Sequence, residues 1–145
     1  LKDLLGDELF KTALHQYMNN WNGKHPIPWD YFYSINTGSK QNLNWFWNNW
    51  FFSNNYIDLK IKNVQSKNNK TTVAIENVGG FDVPFDVELL LKDGKEKTQH
   101  FTPSVWNKNE KTISVTIDNN SALDSIKIDG GIFMDATPDY NVFKL

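Results

Sequence analysis

The spacing of hydrophobic residues changes near Tyr56, and this change constrains the fold more than any other feature of the sequence. Before it, hydrophobic residues recur at helical spacing, which is typical of amphipathic helices. After it, they alternate with polar residues, as in the run 57–61, which is typical of half-buried strands. A helical part followed by a strand part indicates the α+β class. We therefore predict two domains, a helical segment at 1–55 and a β domain at 56–145.

The helical segment is predicted to contain three main helices. Asp7 is a suitable N-cap for the first, and Gly23 is expected to end it. Pro28 can open a second helix, because proline is favoured at the first helical position, and Gly38 is expected to end that helix. A third helix is predicted to begin within the next few residues and to carry an aromatic-rich run at 45–52.

The β domain is predicted to be an immunoglobulin-like antiparallel sandwich. Asp93-Gly94 lies between two strand-like runs and is a strong hairpin signal, because both residues tolerate positive φ. About seven short strands separated by frequent turn signals are typical of such a sandwich. The predicted strands lie around 57–61, 73–75, 83–91, 99–101, 111–117, 125–128, and either 131–134 or 142–143.

Composition excludes several functional classes. With 39% hydrophobic and 22% charged residues the chain is typical of a globular protein, and a net charge of −2 gives no electrostatic reason to expect nucleic acid. All 15 basic residues are Lys, so the side chain best suited to bidentate phosphate recognition is absent. No run approaches the ~18 apolar residues of a membrane span. The absence of Cys excludes disulfides and thiolate chemistry but leaves the compartment open.

The residues that could carry catalysis show no convergent pattern. The three histidines lack the spacing of a His-Glu-x-x-His zinc helix. Two pairs of closely spaced acids are expected to be solvated or to cap turns, because nothing in the sequence brings them together. We therefore predict no catalytic, cofactor-binding or metal-binding residue in this chain. The residues considered are His15, His25, His100, Asp82, Asp86, Asp135 and Asp139.

The run 45–52 contains six aromatic side chains and no charge. On a helix these rings point to most sides, and a helix that is apolar on most sides is usually buried on most sides. Three interpretations remain open: packing against the rest of a larger protein, a platform for stacking sugar rings, or self-association between copies. Packing is favoured, because the run goes around a helix. The candidate interdomain or binding surface comprises Trp45, Phe46, Trp47, Trp50 and Phe51.

Three blocks of sequence in this region resemble the end of the catalytic domain of M1-family zinc aminopeptidases. They are Leu5–Phe10, Trp21–Phe32 and Gln41–Phe52. In that family such helices are often followed by a small β-sandwich whose first strand commonly opens at a Gly-Tyr-Pro-like turn. Here Asn55-Tyr56-Ile57 stands at that place, without the Gly or the Pro. A hydrophobic stripe that starts at the first residue also leads us to expect a piece of a longer protein.

The resemblance implies a non-catalytic C-terminal portion of a peptidase. The family's His-Glu-x-x-His helix with its later Glu, its Gly-x-Met-Glu-Asn motif and its catalytic Tyr are not matched in this sequence, so no catalytic residue is carried over. The resemblance implies that zinc belongs to the parent enzyme and that the partner of this chain is an upstream catalytic domain of the same protein. The alternative is a free-standing β-sandwich module that binds carbohydrate or protein.

Overall fold

The structure is a computed structural model that describes residues 1–119, 121–129 and 134–145. The chain divides into two compact units, Leu1–Ser53 and Asn54–Leu145. The first unit is helical and the second consists of two antiparallel sheets, so the predicted α+β class is confirmed. The division falls close to the predicted boundary between 55 and 56.

The helical unit contains four helices. Gly6 has a φ of 74° and occupies the cap position of the second helix, so Asp7 is its first residue rather than its N-cap. Pro28 is the first residue of the third helix, where its missing N–H is not needed, and the Asp30 carboxylate accepts the backbone N–H of Ile27 at 2.9 Å. The helices are α1 (Lys2–Leu5), α2 (Asp7–Trp21), α3 (Pro28–Ser39) and α4 (Asn44–Phe52).

Gly38 does not end α3, contrary to the prediction. The helix continues to Ser39 and is capped by Lys40 in the left-handed conformation, with a φ of 55°. Gly38 instead packs against α2, where a Cβ atom at this position would lie 2.7 Å from the Cα of Ala13. Because glycine has no side chain, the two helices can approach closely at Gly38. In the sequence, a glycine at such a contact cannot be distinguished from a glycine that ends a helix.

The core of the helical unit is largely aromatic. Its buried residues come from α2, α3, α4 and the connection before α4, and several half-buried side chains pack around them. The buried set is Ala13, Phe32, Ile35, Leu43, Phe46 and Trp47. Within the described part of the chain, no helix combines the length and apolar character that crossing a membrane requires.

The second unit has seven strands in its described residues. They are β1 (Leu59–Lys67), β2 (Lys70–Asn77), β3 (Phe85–Leu91), β4 (Glu96–Phe101), β5 (Thr112–Asp118), β6 (Leu123–Asp129) and β7 (Val142–Lys144). One sheet has the order β1-β2-β5 and the other the order β4-β3-β6-β7, and every pairing is antiparallel. Asp93-Gly94 forms the predicted turn between β3 and β4, with a φ of 80° at Gly94. The predicted strand alternative at 131–134 lies mostly outside the described residues.

The two sheets share one hydrophobic core. Along β3 buried and half-buried residues alternate, and the same alternation on β2 buries Val73 and Ile75. Trp106, on a 3₁₀ helix at Pro103–Trp106, is buried in this core and donates its indole N–H to the Val83 carbonyl at 2.9 Å. Because buried and exposed residues alternate along the strands, one face of each sheet points into the shared core. The predicted sandwich-type fold is therefore confirmed.

Candidate functional site

The five candidate aromatic residues all lie on α4, but they differ in exposure. Phe46 and Trp47 are buried, with exposed fractions of 2% and 3%. Trp45 and Trp50 are half-buried, and Phe51 is 59% exposed. The run is therefore partly core and partly surface, and only its exposed members are available to a partner.

Contacts inside the helical unit account for the burial of Trp47. Its ring stacks on Phe32, with centroids 4.7 Å apart and planes 27° apart. Its indole N–H donates to the Asn36 side-chain oxygen at 2.9 Å. Phe46 stacks on Trp50 at 5.3 Å, one turn further along the same face, as the helical spacing predicts. Removing Trp47 would thus leave a cavity in the core and would take one hydrogen-bond donor from the half-buried Asn36, whose amide nitrogen still donates to Asn44.

An exposed aromatic face is formed by side chains of two helices, Trp29 and Tyr33 from α3 and Phe51 and Phe52 from α4. Their exposed fractions lie between 48% and 63%. Trp29 and Phe52 stack at 5.1 Å with planes 7° apart, which joins the two helices at this face. Trp29 and Tyr33 were not among the predicted surface residues. Their spacing of four residues on one predicted helix is the signal that could have revealed a shared side.

A small groove opens beside the exposed aromatic face. Its volume is about 150 Å³, below the roughly 300–1,000 Å³ of typical small-molecule sites. It is lined by Trp29, Phe32, Tyr33, Asn44, Trp47, Asn48 and Phe52. None of these side chains is charged at neutral pH, so the groove offers ring faces and amide and hydroxyl groups. Such a surface can stack and hydrogen-bond a neutral ligand, but it supplies no acid–base pair.

The residues considered for metal binding do not come together. His15 and His25 are exposed on the helical unit, and His100 on β4 pairs with Asp86 on the neighbouring β3. Among the described residues, no group of three or more His, Asp or Glu side chains is placed to hold a metal ion. The described donor set therefore does not fit the zinc site that the family resemblance implies for the parent.

Asp82 has an electrostatic environment that the sequence did not reveal. Burial raises the pKa of its carboxyl to about 6, and a hydrogen bond from the Asn77 amide partly opposes this shift. The Asn77 amide nitrogen lies 3.2 Å from Asp82 Oδ1, while its own oxygen accepts the Gly80 N–H at 2.8 Å. These contacts organise the turn before β3, so their evident role is structural.

Asp58 and Asp135 are two acidic residues that lie close to each other in the structure, a proximity that was not predicted. Thr137 joins them, because its hydroxyl donates to Asp58 Oδ2 at 3.3 Å and its backbone N–H donates to Asp135 Oδ1 at 2.8 Å. Burial, followed by the charge of Asp135, raises the pKa of the Asp58 carboxyl. Sequence patterns could not show this pair, because its members lie on distant segments that meet only in the folded sandwich.

Comparisons with known proteins find a structural likeness. No family model matches the chain, and no curated protein matches it in sequence. Among solved structures it is similar to aminopeptidase A of Legionella pneumophila, crystallised with aspartic acid, with a TM-score of 0.65 and 18% identity. The likeness covers 88% of this chain and 15% of that one. At this identity the likeness shows the fold alone, so this chain has a fold that occurs within part of an aminopeptidase.

Proposed function

We propose that this chain is a non-catalytic portion of a larger zinc aminopeptidase of the M1 family. The observation that carries the proposal is the fold likeness to Legionella pneumophila aminopeptidase A, which extends over 88% of this chain but only 15% of that chain. The three sequence blocks Leu5–Phe10, Trp21–Phe32 and Gln41–Phe52 support the same assignment, because they resemble one continuous region of that family.

The proposed role is that of a scaffold for an upstream catalytic domain. Zinc would be held there and not by this chain, since the described residues place no suitable donor set. When bound in such an enzyme, zinc polarises a carbonyl and activates water. The contribution of this chain would be to pack against and support the domain that holds the metal.

The exposed aromatic face is the proposed contact with the rest of the protein. Burial of one large apolar side chain favours association by about 1.5–3 kcal/mol before the entropic cost of binding is subtracted. Trp29, Phe51 and Phe52 are each about half exposed, so each retains apolar area that a partner could cover. Trp45 and Trp50 would contribute the parts of their rings that the helical unit leaves accessible.

A binding experiment between separate domains tests this role. The coding sequence upstream of Leu1 is first read for His-Glu-x-x-His followed by Glu, and the encoded domain is expressed separately. We expect it to bind this chain, and the double variant Phe51→Ser/Phe52→Ser to bind more weakly. Met18→Ser is the matched control, because Met18 is also about half exposed but belongs to α2. Absence of the zinc motif, or aminopeptidase activity of this chain alone, would contradict the proposal.

A second candidate function is the binding of a neutral sugar at the groove. It is favoured by the uncharged lining and by the rings of Trp29 and Phe52 beside the polar groups of Tyr33 and Asn48. Aromatic faces stack on apolar faces of ligands, and a few polar groups fix orientation. Tryptophan fluorescence is titrated with a panel of neutral oligosaccharides. Quenching that Trp29→Ala abolishes would support this function, and a flat titration across the panel would count against it.

A further inference from the structure

An oxygen-rich cluster lies where the first strand of the sandwich begins. Asp58 directly precedes β1, and Asp135 lies shortly before the 3₁₀ helix at Pro138–Asn141. Asp135 Oδ2 accepts the Leu59 N–H at 2.9 Å, and its Oδ1 accepts the Thr137 N–H at 2.8 Å. The Thr137 hydroxyl donates to Asp58 Oδ2 at 3.3 Å. Two carboxylates thus meet around one threonine.

The negative charge of this cluster is only partly balanced by the described residues. Asp58 is only 5% exposed, and its Oδ1 is buried without a hydrogen-bond partner. No Lys or His among the described residues forms an ion pair with either carboxylate. The Lys60 ammonium lies over the Tyr140 ring, 4.4 Å from its centroid, and its charge only partly offsets the burial and the like charge of Asp135 that raise the pKa of the Asp58 carboxyl. A buried carboxylate oxygen with no donor is strongly unfavourable unless a proton or a cation neutralises it, so Asp58 Oδ1 is a candidate position for a cation ligand.

We propose that Asp58 and Asp135 bind one calcium ion. The available ligands are oxygen atoms, the two carboxylates and the Thr137 hydroxyl, and hard cations prefer such ligands. The Asp135 oxygens already accept backbone N–H groups, so the fold fixes their positions. They cannot rearrange freely to give octahedral coordination. Calcium accepts irregular geometry with further water ligands, whereas magnesium requires near-octahedral coordination. The oxygen-only set argues against zinc, which favours nitrogen and sulfur.

The ion would connect two distant segments of the sandwich. Asp58 leads into β1 and Asp135 leads towards β7, so a shared cation would hold the start of the first strand to the chain before the last. Since only two carboxylates contribute charge, we expect a dissociation constant on the order of 10⁻⁴–10⁻³ M, in the range of weak extracellular modules. Binding to the folded state alone would raise the unfolding temperature with calcium concentration. This inference is independent of the proposed peptidase role.

Calorimetric titration and thermal unfolding of the whole chain test the site. After treatment with EDTA, the protein is titrated with CaCl₂, with MgCl₂ as the comparison at matched ionic strength. We expect one calcium per chain and a higher unfolding temperature in calcium. Asp58→Asn should weaken calcium binding by about tenfold or more, because it removes a charged ligand. Asp139→Asn should bind like the unsubstituted chain, since Asp139 is an exposed acid on the following 3₁₀ helix.

A measurement on the unsubstituted chain keeps the test decisive if Asp58→Asn does not fold. In a ¹H–¹⁵N NMR titration with CaCl₂, the largest saturable shifts should occur at the amides of Leu59 and Thr137, which donate to Asp135. No response at millimolar calcium, shifts spread over the surface acids, or equal binding by a folded Asp58→Asn variant would each overturn the proposal.

Discussion

A Cβ atom on Gly38 would lie 2.7 Å from the Cα of Ala13, so these two residues set how closely α2 and α3 approach. Gly38→Ala should therefore push the helices apart and destabilise the helical unit by about 1–3 kcal/mol, as overpacking of a core does. The free energy of unfolding from urea titration monitored by helical circular dichroism measures this. Thr37→Ala is the control, because Thr37 is exposed on the same helix. Unchanged stability of Gly38→Ala would show that the helices are less tightly packed.

The hydrogen bond between Trp106 and Val83 allows the stability of the sandwich to be tested in the same way. Trp106→Phe removes the indole N–H that the Val83 carbonyl accepts at 2.9 Å inside the core. A buried carbonyl left unpaired costs about 1–3 kcal/mol, to which the smaller ring adds a cavity. We expect a lower midpoint of chemical unfolding followed by strand circular dichroism. Trp29→Phe should have little effect on that transition, since Trp29 is half exposed and belongs to the helical unit.

Much of the fold could be predicted because local patterns specify it. Alternation along β2 and β3 reflects burial of one sheet face, and Asp93-Gly94 forms the expected turn because Gly94 readily adopts a φ of 80°. Phe46 and Trp50 stack because four residues complete about one helical turn. Each of these features depends on neighbours in the sequence.

What could not be predicted depends on contacts between distant segments. Gly38 has the same local signature whether it ends a helix or lets another helix approach. Asp58 and Asp135 meet at Thr137 only after the sandwich has formed. The exposed aromatic face combines Trp29 and Phe52 from different helices, and neither helix sequence alone indicates their stacking.

Asp82 should make stability depend on pH. Its carboxyl has a pKa of about 6 in the folded chain against an ordinary value of 3.8, so the folded state binds more protons between these values. Stability therefore falls as pH rises from about 4 to about 6 and then levels off for this group. Asp82→Asn should be the more stable protein at pH 7, by about 1 kcal/mol after allowance for solvent screening, and the gain should shrink at pH 4.

Thermal unfolding of both proteins across this pH range checks the prediction. Asp124→Asn provides the control for the loss of one carboxylate, because Asp124 is an exposed acid of the same domain. Comparing each variant with the unsubstituted chain removes the contribution of the other ionisable groups to the pH dependence of stability. A gain for Asp82→Asn that is the same at pH 4 and pH 7 would contradict the raised pKa.

Substitutions on α4 should separate its core and surface functions. Phe51→Ser/Phe52→Ser should leave the helical unit folded and abolish any self-association through the exposed aromatic face, because both rings are more than half exposed. Trp47→Ser should instead destabilise the unit by about 3–5 kcal/mol, because it removes a buried ring and leaves the Asn36 side chain without its indole donor. Light scattering gives the mass and circular dichroism the stability of each variant. Dissociation of an oligomer by a folded Trp47→Ser variant, with none by Phe51→Ser/Phe52→Ser, would place the association surface elsewhere on α4.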